Sequence, residues 1–99
     1  MREREVAAAL VKRINRLGGE VRKVKWVGLR SSPDRVVMIA PHLTLVASNT
    51  VWVELKATGE ECTLAQKREH TRMRRAYQTV IVIDSQSGVD LYFPLTNED

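Results

Sequence analysis

Asp34, Glu54 and Lys56 are residues of the types that metal-assisted chemistry at a phosphate requires. Asp34 follows Pro33, and twenty residues later Glu54 and Lys56 flank Leu55. Residues two apart on a strand share a face, so Glu54 and Lys56 point the same way. If the strand that Asp34 opens pairs with the strand of Glu54, the two carboxylates converge. Such a pair is a hard oxygen site suited to Mg²⁺ or Mn²⁺. A cation beside it can orient a water or stabilise a phosphoryl transition state, which completes the set needed for phosphodiester hydrolysis. The same three residues also read as a cross-strand ion pair on an exposed sheet face.

Two further polar residues stand at informative places. On a helical projection Glu3 falls on the stripe of Val6, Leu10, Ile14 and Leu17, whereas Glu5 falls opposite it. A carboxylate that opens an inward stripe is a candidate third acidic ligand, or a first-turn acid that suits the helix dipole. Gln66 lies on one face with His70, Met73 and Tyr77, which predicts that Gln66 and His70 project inward while the arginines project outward. Gln66 can reach a water or phosphate near the carboxylates, or close a capping box with Thr63. His70 reads as a satisfied interior histidine, because no second histidine stands at ligand spacing. Cys62 lacks a partner for nucleophilic work. Trp26 and Trp52 can stack on bases or belong to the core.

These residues need a scaffold. The apolar spacing predicts a helix over 2–17, ended by Gly18-Gly19, and strands over 20–27, 35–40 and 50–57. A second helix is expected from about Leu64 to Tyr77. The apolar run 79–84 predicts a strand covered on both faces. Residues 85–88 read as a turn, and 89–95 (VDLYFPL) as a further edge strand with Pro94 at the edge. Residues 41–49 have no clear assignment beyond a turn near Ser48-Asn49. The order is αβββαβ, in a single domain spanning 1–99.

Composition narrows the partners. The chain has 99 residues, a net charge of +4 and one cysteine. A disulfide framework and a multi-cysteine zinc site are thereby excluded, and a cytoplasmic location is the expectation. No window suits a bilayer, and the charged start does not resemble a signal peptide. Basic charge is concentrated: residues 1–25 hold eight basic and three acidic side chains, and residues 67–75 hold five and one. Two basic segments about an acidic centre suit a nucleic-acid backbone over a metal site, although a charge run is also a solvated face. Arg30 and Arg35 beside the Asp34 loop, with Lys67, Arg68 and Arg72 on the second helix, are the side chains expected at DNA phosphates.

Taken together, Glu3, Ser32-Pro33-Asp34-Arg35, Val53-Glu54-Leu55-Lys56 and Gln66 opening a helix resemble the PD-(D/E)xK nuclease superfamily. Within it they are most similar to the VRR-NUC family in its stand-alone phage and bacterial form. The resemblance runs from Arg2 to about Asp84. It implies an α/β restriction-endonuclease-like core: a mixed sheet flanked by two helices. It also implies Mg²⁺- or Mn²⁺-dependent cleavage of DNA. Glu3, Asp34, Glu54 and the Leu55 carbonyl would bind metal, Lys56 would be the catalytic lysine, and Gln66 would match the later motif. Stand-alone members look like homodimers that cut branched DNA such as Holliday junctions. A flap exonuclease or nickase of the same fold, and a non-cleaving DNA-binding module, are the alternatives. An α/β protein with no nucleic-acid role is a third. The family commonly has GxPD where this chain has Ser31-Ser32-Pro33-Asp34. The 41–49 stretch is longer than the usual hairpin and is expected to shape the DNA groove or a dimer contact.

Overall fold

The computed structural model describes residues 1–95, so the last four residues of the expected domain lie outside it. A four-stranded sheet has the order β1 (Glu20–Lys23), β2 (Arg35–Met38), β3 (Thr50–Leu55), β4 (Val80–Ile83). β1, β2 and β3 run antiparallel in sequence, and β4 joins β3 in parallel. The parallel pair requires a crossover, supplied by α2 (Leu64–Arg75). The mixed α/β architecture matches the sequence reading.

The two sheet faces differ in kind. Val37, Val51, Val53, Leu55, Ile81 and Ile83 form an apolar face, covered by Val6, Leu10 and Ile14 of α1 (Glu3–Arg16). The other face carries Trp52, Glu54 and Lys56, and α2 lies over it with Glu69 and His70 buried. At the exit of α1, Gly18 turns at φ +80°, and a Cβ on Gly19 would meet the Met38 carbonyl at 2.6 Å. The helix can return to β1 only because that side chain is missing.

Four expectations are corrected. Residues 86–92 form a helix, α3 (Gln86–Tyr92), where an edge strand was expected over 89–95. Ser85 Oγ accepts from the Gly88 amide at 3.1 Å and caps the start of α3. Val89 and Phe93, four apart, are both fully buried. Arg13 of α1 then donates to the Phe93 carbonyl and to Asp90, each at 2.7 Å. Among the described residues the sheet is thus flanked by three α-helices rather than two. Second, α2 ends at Arg75 and not near Tyr77, which takes φ +65° and is 96% exposed. The amides of Tyr77 and Gln78 bond the Arg74 and Met73 carbonyls, a Schellman closure that turns the tyrosine outward. Third, Val82 is 37% exposed, because α2 leaves that part of β4 uncovered. Fourth, residues 41–49 form a 3-10 turn (Pro41–Leu43) and an irregular return whose Leu45 amide bonds the Tyr92 carbonyl of α3. This connection sits at the far end of β2 and β3 from Asp34 and Glu54, about 17 Å away along the strands, and does not line the cleft described below. No helix among the described residues is long and apolar enough to cross a membrane.

Candidate active site

Asp34 stands one residue before β2, and Glu54 one residue before the end of β3. Arg35 pairs with Val53, so the next step of the ladder sets Asp34 opposite Glu54 on the polar face. The Val24 amide donates to the Asp34 carbonyl at 2.8 Å, which extends the β1 edge past the same point. There the sheet opens into a cleft of about 650 Å³ lined by Glu3, Lys23, Lys25, Trp26, Arg30, Ser32, Asp34, Glu54 and Gln66, among others. Four of the expected site residues, Glu3, Asp34, Glu54 and Gln66, therefore meet in one place, together with the expected DNA contact Arg30.

The backbone adds a donor. Trp52 and Lys56 give their amides to the carbonyls of Thr79, just before β4, and of Ile83 in it, so by alternation the polar groups of Leu55 face β2. The Ile39 amide bonds the Asn49 carbonyl, which fixes the phase of the β2–β3 ladder and puts Pro33 opposite Leu55. Proline has no amide hydrogen to give. The Leu55 carbonyl thus receives no ladder bond from Pro33, and it lies beside the two acids.

Glu54 is only 8% exposed. Its Oε1 lies 3.1 Å from Nε2 of His70, itself 2% exposed. Burial raises the proton affinity of Glu54 above the ordinary carboxylate value, and His70 and Lys56 oppose that rise while the negative Asp34 adds to it. The Asp34 loop is held from two sides. Trp26 Nε1 donates to the Pro33 carbonyl at 2.8 Å, and Ser32 Oγ donates to Glu69 Oε2 at 2.5 Å. The Ser32 hydrogen bond, with that of Arg72, holds the Glu69 carboxyl below its ordinary pKa despite its desolvation.

The remaining expected residues have other engagements. Lys56 is 6% exposed, and its Nζ lies 3.4 Å from Glu60 Oε1 at the start of the next loop. Arg35 folds back to pair with Asp34 at 2.9 Å. Gln66 completes the capping box: its Oε1 accepts from the Thr63 amide and its own amide bonds Thr63 Oγ1. It lines the cleft as well, so both readings hold. Glu3 reaches the cleft from the exposed first turn of α1 and not as a buried acid. Lys67, Arg68 and Arg72 lie outward on α2 along a separate shallow groove. Burial, then the charge of Glu54, raises the Cys62 thiol pKa, which favours the unreactive form. Sequence reasoning missed Lys23, Lys25, Ser32 and Glu69. The signal for Glu69 was its place as the one acid within the basic run 67–75.

Among the described residues no three His, Cys, Asp or Glu side chains gather closely enough to enclose a metal alone. The cleft offers two facing carboxylates and a carbonyl. That set fits Mg²⁺ or Mn²⁺, which keep several waters and need few protein ligands. A divalent cation would also favour the charged form of Glu54, which burial chiefly opposes.

The chain is 37% identical over 86 residues to "Putative nuclease p44" of Acyrthosiphon pisum secondary endosymbiont phage 1, covering 87% of this chain and 86% of that protein. It superimposes on a solved structure described as a VRR_NUC domain with a TM-score of 0.74 and 30% identity, covering 89% of each chain. No family model matches it. The likeness of sequence and of fold, both spanning most of the chain, agrees with the motif order, and the chain belongs to the VRR-NUC family of nucleases.

Proposed function

We propose that this nuclease hydrolyses phosphodiester bonds of DNA with Mg²⁺ or Mn²⁺ bound at Asp34, Glu54 and the Leu55 carbonyl, with Glu3 contributing from the rim. The observation that carries the reading is the cross-strand facing of Asp34 and Glu54 at the floor of a cleft edged by Lys23, Lys25 and Arg30. When bound, the cation lowers the pKa of a water and neutralises charge developing on the phosphate. The chain's own residues do the rest. Lys23, Lys25 and Arg30 draw the phosphate backbone into the cleft. His70 fixes the rotamer of Glu54, and Arg35 holds Asp34 until a divalent cation replaces it. Lys56, released from Glu60, is the buried cation that faces the scissile phosphate or orients the attacking water. Gln66, anchored by its cap, offers a polar group beside them.

The substrate we infer is branched DNA, including four-way junctions, cut by a homodimer in the cytoplasm. One 99-residue chain supplies a single cleft, and a symmetric pair would present two to a substrate of matching symmetry. The test is cleavage of a synthetic four-way junction, a flap and a linear duplex in Mg²⁺, Mn²⁺ or EDTA, with the mass in solution measured by light scattering. Metal-dependent cutting that favours the junction, by a dimer, supports the reading. Cutting from ends or of one strand only would make the protein a flap exonuclease or a nickase. The ion pairs on Asp34 and Lys56 favour a second reading, a DNA-binding module that does not cleave. Binding of every shape without cutting would establish it.

A further inference from the structure

Beside the cleft lies a second hollow of about 290 Å³, lined by Trp26, Trp52, Glu69, Arg72, Met73, Ala76 and Gln78. Trp26 belongs to both. The two indoles meet at a centroid distance of 5.2 Å and a tilt of 45°, so they form a wedge rather than a parallel stack. Each ring is locked through its N–H: Trp26 to the Pro33 carbonyl at 2.8 Å and Trp52 to Gln78 Oε1 at 3.1 Å. Both rings are partly buried, with some surface left to solvent. The indole faces, Met73 and the Gln78 amide, beside an Arg72 guanidinium already paired with Glu69 at 2.9 Å, make a site for a flat, uncharged, hydrogen-bonding ring. A nucleotide has the same two-part character, an anionic phosphate next to a planar base.

We propose that the hollow binds one unpaired nucleobase while the adjoining phosphate occupies the cleft. This inference rests on the reading that DNA lies in the cleft, and it deepens that reading by naming the substrate class: DNA with an unstacked nucleotide beside the bond to be cut. A base inside an intact duplex is stacked and cannot enter. Aromatic side chains that hold splayed bases do so with little regard to sequence.

The test is metal-free, in EDTA at one salt concentration, so that nothing is cut. A flap DNA with 2-aminopurine at an unpaired position next to the branch is compared with a fully paired duplex of equal length. The wild-type protein should bind the flap about tenfold more tightly and quench the probe. Ala76→Glu sets a second acid beside Glu69 in the hollow at an exposed helix end, and Trp52→Ala removes the ring that does not line the cleft. Each should lower flap affinity about tenfold and leave duplex affinity within about twofold. If Trp52→Ala does not fold, Ala76→Glu decides. Equal binding of flap and duplex with no change in probe fluorescence overturns the proposal, as does an equal loss on both DNAs. Cleavage in Mg²⁺ is measured separately. A protein that captures the unpaired base yet cuts nothing retains this site and loses the nuclease chemistry. One that cuts flap and duplex alike, unchanged by Ala76→Glu, does the reverse.

Discussion

Glu69 and His70 are consecutive on α2, yet they restrain the two acids of the cleft separately. Glu69 takes the Ser32 hydroxyl and so holds the loop that delivers Asp34, and His70 takes the carboxylate of Glu54. One helical turn thus holds both the Asp34 loop and the Glu54 side chain. Both residues are buried, so neither restraint is the loose ion pair of a protein surface.

Replacing His70 with Ala leaves the buried Glu54 carboxyl without its partner. We expect a loss of about 2–3 kcal/mol in stability, and weaker Mn²⁺ binding in calorimetric titration. His70→Gln, which keeps a donor at similar reach, should recover part of both. Unchanged Mn²⁺ affinity in a folded His70→Ala protein would show that the histidine supports only the fold.

Asp34→Ala and Glu54→Ala should each abolish metal-dependent cleavage while circular dichroism shows a folded protein, although Glu54→Ala should melt lower because it leaves the buried His70 without its partner. A variant that cuts as well as the parent would displace the site from this end of the sheet. Lys56→Ala should keep Mn²⁺ binding and lose most of the rate, since the lysine stands beside the carboxylates without being a donor to the cation.

Ser32→Ala tests the other restraint by its pH dependence. The Glu69 carboxyl is held below its ordinary value of 4.5. A depressed carboxylate contributes stability above its unfolded pKa and loses it as pH falls through the folded one. Ser32→Ala should therefore cost about 1 kcal/mol at pH 7. That gap should close below the carboxylate range. Denaturant melts at pH 7 and pH 3 measure it, and a gap independent of pH would assign the loss to loop packing.

Tyr77 is a non-glycine residue at φ +65° with its side chain in solvent. Left-handed backbone costs an L-residue about 1 kcal/mol, a penalty glycine escapes. Tyr77→Gly should raise stability by about that amount in thermal melts. No gain would mean that the ring makes a compensating contact.

The legible parts of the sequence were those with a single period. Val6, Leu10 and Ile14 could face only one way, and Val51, Val53 and Leu55 alternated cleanly with Trp52, Glu54 and Lys56. The order of types also marked Asp34, Glu54, Glu3 and Gln66, which do share a cleft. Residues 89–95 were ambiguous because alternation and the Val89–Phe93 spacing coexist there, and burial of both residues against α1 decided for a helix. The tether between Ser32 and Glu69 spans 37 positions and depends on how α2 lies over the sheet, which no local pattern encodes. The same holds for the Glu60 partner of Lys56, a loop acid with no periodicity to mark it.

The connection over 41–49 is docked on α3 at the pole opposite the cleft. Chemistry and chain length are therefore decoupled in this fold. A foreign module spliced in at the exposed Ala47 would grow away from the DNA, so the nuclease could be addressed to new loci by a guest domain without rebuilding the metal site.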